Sequence, residues 1–407
     1  MGLLKIEKLK PDMVLTDDVK DINARLLLKK GQKIALNHIK IMKTWGVTEV
    51  AVQGADDSAS HPETVLDPEH FKRVAEDTKP LFKHVDLKHP AIKEIFRLSV
   101  MCRSRYKIEA PHADGQSQLT DSEDGHIVLD LKAKIAEQAI KLPEIPVIVF
   151  ELNEVVNDPV ASADDIAQVV KKSPSLAALL LRIVNSAFYG FPAQIDTITR
   201  AVAINGTKEI SSLAMGIVTI KMFKDIPRQV LDMQAFLQHS LACGIIARIM
   251  AARKNIPQTE QMFVSGLLHD LGRLMVYQYY PDLAKGLLNH CLSNQTPLYE
   301  VEGDFLGCQH TDLGRYLLRA WQLPPTLENN LYFHHNPSEA GDQVSAGIVH
   351  LADLMVNALG IGTSGSHFVP CLDEDAWMLL DLSPACFETV VEQATHQLFA
   401  LETHLAS

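Results

Sequence analysis

Five histidines and two aspartates have the types and spacing to do metal chemistry: His239, His269 with Asp270, His310, His334 with His335, and Asp353. The most pointed is His269-Asp270, because the pair sits inside a run, 265–273, that otherwise reads as buried helix. A buried imidazole and a buried carboxylate both need partners. One divalent ion satisfies the two at once, accepting a neutral ring nitrogen and a carboxylate oxygen as ligands. The mixed imidazole and carboxylate set suits iron or manganese ahead of zinc, and it excludes a thiolate site. The competing reading is that these residues are core positions satisfied by hydrogen bonds among themselves or to helix ends. His239, alone in the nearly all-apolar run 236–251, is taken by itself more often a core residue than a ligand.

Five successive helices must position the seven residues. His239 falls in the first, and His269-Asp270 in the second. His310 lies near the start of a third that runs to Trp321. Pro324-Pro325 opens a fourth, which ends in His334-His335 just before Asn336-Pro337 stops it. Asp353 falls inside an apolar helix over 344–359. Upstream, Ala163-Asp164-Asp165 puts acidic residues in a first turn and Lys171-Lys172 closes that helix, both favourable to its dipole. Ser173-Pro174 then supplies an N-cap and a first-turn proline.

From about residue 126 to 407 the pattern is helical almost throughout, which predicts a mainly α chain with one large all-α domain whose metal-bearing half is about 230–360. Residues 1–54 read as a small α+β accessory module, with strands at Val14-Leu15, 26–28 and 47–52 and a helix over 36–45. Residues 55–125 read as a helical connector followed by a polar, breaker-rich linker.

The formal charge is −12, from 38 Lys and Arg against 50 Asp and Glu, and no basic stripe offsets it. Phosphate contacts need a basic surface, so nucleic acid is not an expected partner. The six cysteines are scattered with no CxxC pair and read as reduced thiols. No apolar run is read as approaching the roughly 20 residues of a membrane span, and charges follow Met1 too soon for a signal peptide. A cytoplasmic protein with no membrane contact is expected.

The run Leu142-Pro-Glu-Ile-Pro146, Asn157-Asp158-Pro159, Ser173-Pro-Ser-Leu176, Leu181-Arg-Ile-Val-Asn-Ser-Ala-Phe-Tyr-Gly190 and Ile198-Thr-Arg-Ala-Val202 closely resembles the HDOD family of bacterial signal-transduction proteins. Ser173 stands where that family usually has Asp, and Ile204-Asn205-Gly206 where Leu-Gly is usual. The order His, His-Asp, His, His-His, Asp in turn resembles the ligand set of the HD superfamily, particularly its branch that hydrolyses cyclic dinucleotides with two metals. That resemblance implies a regulatory protein with two divalent ions roughly 3.5–4 Å apart, bridged by a carboxylate such as Asp270. It also implies action through a protein partner, with a homodimer as an open alternative.

The alternative is a metal-dependent phosphohydrolase or phosphodiesterase using the same residues. Asp270 and Arg273 would then be its catalytic pair. Arg273 stands where related hydrolases often have Lys, and could either hold a phosphate by two hydrogen bonds or be a solvated helix-end cation. Against catalysis, HDOD proteins are generally taken as non-catalytic relatives of the hydrolases. Moreover, Asn-Pro-Ser follows His334-His335, where the cyclic-dinucleotide enzymes have Glu and, further on, Gly-Tyr-Pro. His350 is expected to pack in the core or support a ligand, and Asn185 to cap a helix or line a groove.

Overall fold

Short alternating runs at the amino end and long runs of Ala, Leu, Ile and Met further on give two hydrophobic cores. The computed structural model describes residues 2–6, 9–20, 26–35, 37–39, 42, 47, 49–53, 68–106, 108, 130–137, 146–158, 160–185, 194–223 and 225–405. The chain is mainly helical.

The small core gathers Ile6, Leu15, Val19, Leu28, Ile34, Met42, Val50 and Val52. Strand Gly2–Lys5 pairs antiparallel with Glu49–Val52, and Val19–Lys20 pairs with Leu26–Leu28 across an irregular register. The expected strand at Val14-Leu15 is reduced to two single bridges, Val14 to Lys33 and Leu15 to Val52. The strand at Gly2–Lys5 was hidden by its lysine and small size. Residues 37–39 and 42 are helical, and the remainder of the expected helix over 36–45 lies outside the described residues.

The 3-10 turn Lys79–Phe82 and helix Pro90–Tyr106, in the stretch read from sequence as a connector, contribute to the large core. Leu81, Phe82, Ile92 and Ile95 are buried in one cluster with the residues of the later helices. The Val369 N–H donates to the Leu81 carbonyl at 2.9 Å. Most of the polar linker lies outside the described residues.

Local chemistry starts the helices of this body where the sequence indicated. Ser162 and Asp165 form a capping box at the head of Ala163–Lys171. The Ser173 hydroxyl accepts from the Leu176 N–H at the head of Pro174–Val184. Asn185 closes that helix: its amide donates to the carbonyls of Leu181 and Ile195 and its oxygen accepts from the Ile195 N–H. It is therefore a structural cap.

At the centre runs Met233–Arg253, buried on nearly every side because it is apolar on nearly every side. Its 21 residues make it long and apolar enough to cross a membrane, which corrects the sequence reading that no run approaches that length. Here most of that surface is covered by other helices. The helix carries His239, and two glycine contacts bring its neighbour close. A Cβ on Gly244 would strike the Phe263 carbonyl, and one on Gly266 would strike the backbone of Cys243. Helices Leu271–Tyr279 and His310–Ala320 meet the same way, with Gly272 against the His310 carbonyl.

Candidate metal centre

His269 and Asp270 do not lie within one helix as the run 265–273 suggested. His269 is the residue just after Thr259–Leu268 and Asp270 the residue just before Leu271–Tyr279, so the pair occupies the junction. The break turns the Asp270 carboxylate inward, where both of its oxygens find imidazoles. His310 opens the helix His310–Ala320, His334 closes Pro325–Phe333, and Asp353 lies within Gln343–Leu359.

The structure brings all seven sequence-predicted residues together around Asp270. On one side His239 Nε2 and His269 Nε2 are 3.4 Å apart. They stand 3.2 and 3.3 Å from Asp353 Oδ1. Asp270 Oδ2 faces this group, 3.1 Å from His269 Nε2. On the other side His310 Nε2 and His334 Nε2 are also 3.4 Å apart. Asp270 Oδ1 faces them at 3.1 and 3.9 Å. His335 completes this second group, its ring stacked on Tyr299. One carboxylate thus presents an oxygen to each of two imidazole groups.

Hydrogen bonds decide which nitrogens point inward. His269 Nδ1 donates to the Gly266 carbonyl and His334 Nδ1 to the Leu331 carbonyl, each at 2.7 Å. His310 Nδ1 is 2.5 Å from Glu302 Oε2. Three rings therefore turn Nε2 toward the centre, the arrangement that an outer hydrogen bond imposes on a metal-binding histidine. Asp270 Oδ1 and His335 Nε2 are buried and lack a hydrogen-bond partner among the described residues.

The charge balance points the same way. Asp270, Asp353 and Glu302 are buried carboxylates, and the guanidinium of Arg273 is the buried cation among them. Burial works against His269 protonation, yet Asp270 and Asp353 push its pKa up to about 10. Burial would raise the Asp270 carboxyl, and Arg273 with His269 nevertheless holds it well below the ordinary range. Burial and neighbouring imidazoles keep His334 and His335 well below theirs. The pocket therefore attracts positive charge to a point ringed by lone pairs. A divalent ion meets that demand, displacing the proton from His269.

Arg273 is not a solvated helix-end cation. It is buried, with Nη1 2.9 Å from Asp270 Oδ2 and Nε 3.2 Å from Glu302 Oε1. It also donates to the Ser364 and Ser366 hydroxyls. Tyr277 donates its hydroxyl to the Ser364 carbonyl at 2.8 Å, and Thr363 N–H to the Ala235 carbonyl. The 363–366 segment is thereby tied down beside the centre. His239, His269, Asp270, His310, His334 and Asp353 are all 4% exposed or less.

Sequence reasoning missed Glu302, which orients His310 through both its ring and its backbone N–H. The available signal was an acidic residue on the buried face of Leu298–Leu306, shortly before His310. It also set aside thiolates, and that exclusion is corrected: Cys243 Sγ lies 3.6 Å from His239 Nε2 and shares a cluster with His239, His269 and Asp353. Cys243 follows His239 by one helical turn, so it lies on the same face. His350 is buried and bridges two segments: its Nδ1 donates to the His334 carbonyl at 2.7 Å, and its Nε2 accepts from the Asp373 N–H.

Residues 142–337 match the HDOD domain family. An uncharacterized protein of Treponema pallidum (strain Nichols) is 26% identical over 215 residues, which are 52% of this chain and 41% of that one. The chain thus spans about two fifths of the length of this curated relative. Among solved structures, an HDOD domain protein of unknown function from Geobacter sulfurreducens is 20% identical, with a TM-score of 0.52 over 68% of this chain and 94% of that one. A candidate phosphohydrolase from Shewanella amazonensis SB2B is 20% identical with a TM-score of 0.53, covering 68% and 100%. A candidate signal transduction protein from Marinobacter aquaeolei VT8 is 19% identical with the same score, covering 81% and 69%. Likeness at this identity establishes the fold.

Proposed function

This chain carries an HDOD domain, and we propose that it is a signal-transduction protein. Its helical domain is built around a two-ion centre, and it passes a change of state to a protein partner. His239, His269 and Asp353 would hold one ion and His310, His334 and His335 the other, with Asp270 between them. The observation that carries this reading is the pairing of a complete inward-facing ligand set with its closure. Six of the ligands are nearly inaccessible, and the Nη1 and Nε of Arg273 are engaged by Asp270, Glu302 and two serines.

A hydrolase acting on a phosphodiester needs its substrate oxygens to reach the ions. So enclosed a set does not favour that. Such ions contribute folding free energy instead, because the ligand geometry exists only in the folded chain. The net charge of −12 supports a protein partner over nucleic acid. The scattered free cysteines support action in the cytoplasm. Iron or manganese suits the second group, where imidazole and carboxylate are the donors on offer.

Elemental analysis of protein purified without chelator tests the centre. The expected result is about two transition-metal ions per chain, with Asp270→Ala losing most of both. Metal-free, well-folded protein would sink the proposal. Metal-dependent hydrolysis of a phosphodiester, abolished in Asp270→Ala, would favour the enzyme instead.

A further inference from the structure

We propose that Cys243 is a metal ligand, and that it makes the first position a tetrahedral zinc site of two imidazoles, one carboxylate and one thiolate. The inference rests on the reading that the centre holds metal, and goes beyond it by assigning the fourth donor and the ion.

The argument is geometric. With Zn–N and Zn–O bonds of about 2.0–2.1 Å and a Zn–S bond of about 2.3 Å, a tetrahedron has N···N and N···O edges of about 3.3–3.4 Å and an S···N edge of about 3.5–3.6 Å. His239 Nε2 to His269 Nε2 is 3.4 Å. Asp353 Oδ1 is 3.2 and 3.3 Å from the two rings. Cys243 Sγ to His239 Nε2 is 3.6 Å. The sulfur and the three other donor atoms all lie within 4.8 Å of one another.

Chemistry and position agree with that geometry. Asp270 Oδ2, the other oxygen near this position, accepts from the Arg273 guanidinium at 2.9 Å, as Asp353 Oδ1 does from the Asn357 side-chain amide at 2.7 Å. Cys243 supplies the remaining donor from the helix that carries His239, one turn away. A divalent ion with one thiolate and one carboxylate is electrically neutral, which suits a site where Cys243, His239 and His269 are fully buried. Binding releases the thiol proton, and the thiolate favours zinc over the harder ions. The second group has no sulfur among its donors, so the two positions differ in the ions they select. The alternative role for Cys243 is a small apolar filler.

Cobalt(II) substitution of the full chain tests this directly, because a cobalt–thiolate bond produces a near-ultraviolet charge-transfer absorption that nitrogen and oxygen donors do not. The expected result is that band in the wild-type protein, with intense visible absorption typical of tetrahedral cobalt. Cys243→Ser should lose the charge-transfer band and keep cobalt at the second position. Cobalt bound without the band, or a band that survives in Cys243→Ser, would overturn the cysteine assignment while leaving the metal centre intact. No cobalt absorption in folded wild-type protein would overturn the centre itself. The wild-type spectrum needs no variant, so the test stands even if Cys243→Ser folds poorly.

Discussion

At the scale of single residues, the centre depends on groups that orient the ligands as much as on the ligands. Glu302 holds His310 by the ring nitrogen and by the backbone N–H while also meeting Arg273. Replacing an outer-shell partner of this kind costs about 10–100-fold in metal affinity. Glu302→Gln is therefore expected to weaken the second ion by that factor and to spare the first, which competition with a chromophoric chelator would show as one weakened site in two. Equal weakening at both would mean that Glu302 acts on the fold and not on His310.

At the scale of elements, two local devices set the positions of the ligands. The first is close helix approach. Gly272 leaves no room for a Cβ against the His310 carbonyl, so Gly272→Ala must push His310–Ala320 away from Leu271–Tyr279. Overpacking of this sort costs about 1–3 kcal/mol, and here it also separates His310 from Asp270. Urea unfolding should show lower stability and elemental analysis a loss at the second position; unchanged metal content would refute the link. The second device is a cap. Asp373 accepts from the Ala376 N–H at the head of Glu374–Leu380 and from the Ser338 N–H, while its own N–H reaches His350 and through it the His334 carbonyl. Partial burial would raise the Asp373 carboxyl, but the Ala376 and Ser338 contacts outweigh it and the net direction is downward. A depressed folded value means the stabilisation is complete above the unfolded value of about 3.9 and is lost as pH falls through the folded one. Asp373→Ala should thus cost about 1 kcal/mol at neutral pH. The gap between the two proteins should close in acid, and a gap that widens as pH falls below about 3.9 would contradict the assignment.

At the scale of the molecule, five helices converge on one carboxylate, so binding of the proposed ions would be linked to folding of the helical body. Free ion at 100 times its dissociation constant contributes about 2.7 kcal/mol. Stripping the metal should then lower the melting temperature by about 5–10 °C, since each kcal/mol is worth about 2–4 °C in a domain of this size. Restoring the ion should reverse the shift. A melting curve indifferent to chelator would show that the histidines stand in the core without metal.

The sequence by itself determined the helical class, the helix start at Ala163 and the cap at Ser173, and the seven ligand candidates, because each rests on a local signal. Helix periodicity, a capping side chain, and a polar residue in an apolar run are legible over a few neighbours. Only the tertiary structure decided how those residues combine. It broke the run 265–273 into two helices at His269-Asp270, turned one oxygen of Asp270 to each imidazole group, and paired Arg273 with Glu302 across 29 positions. It also placed the Cys243 sulfur among nitrogen and oxygen donors, a role that an apolar helix disguises. Such facts depend on which faces meet across helices, and no local pattern encodes the distance between a carboxylate at one helix junction and an imidazole on another.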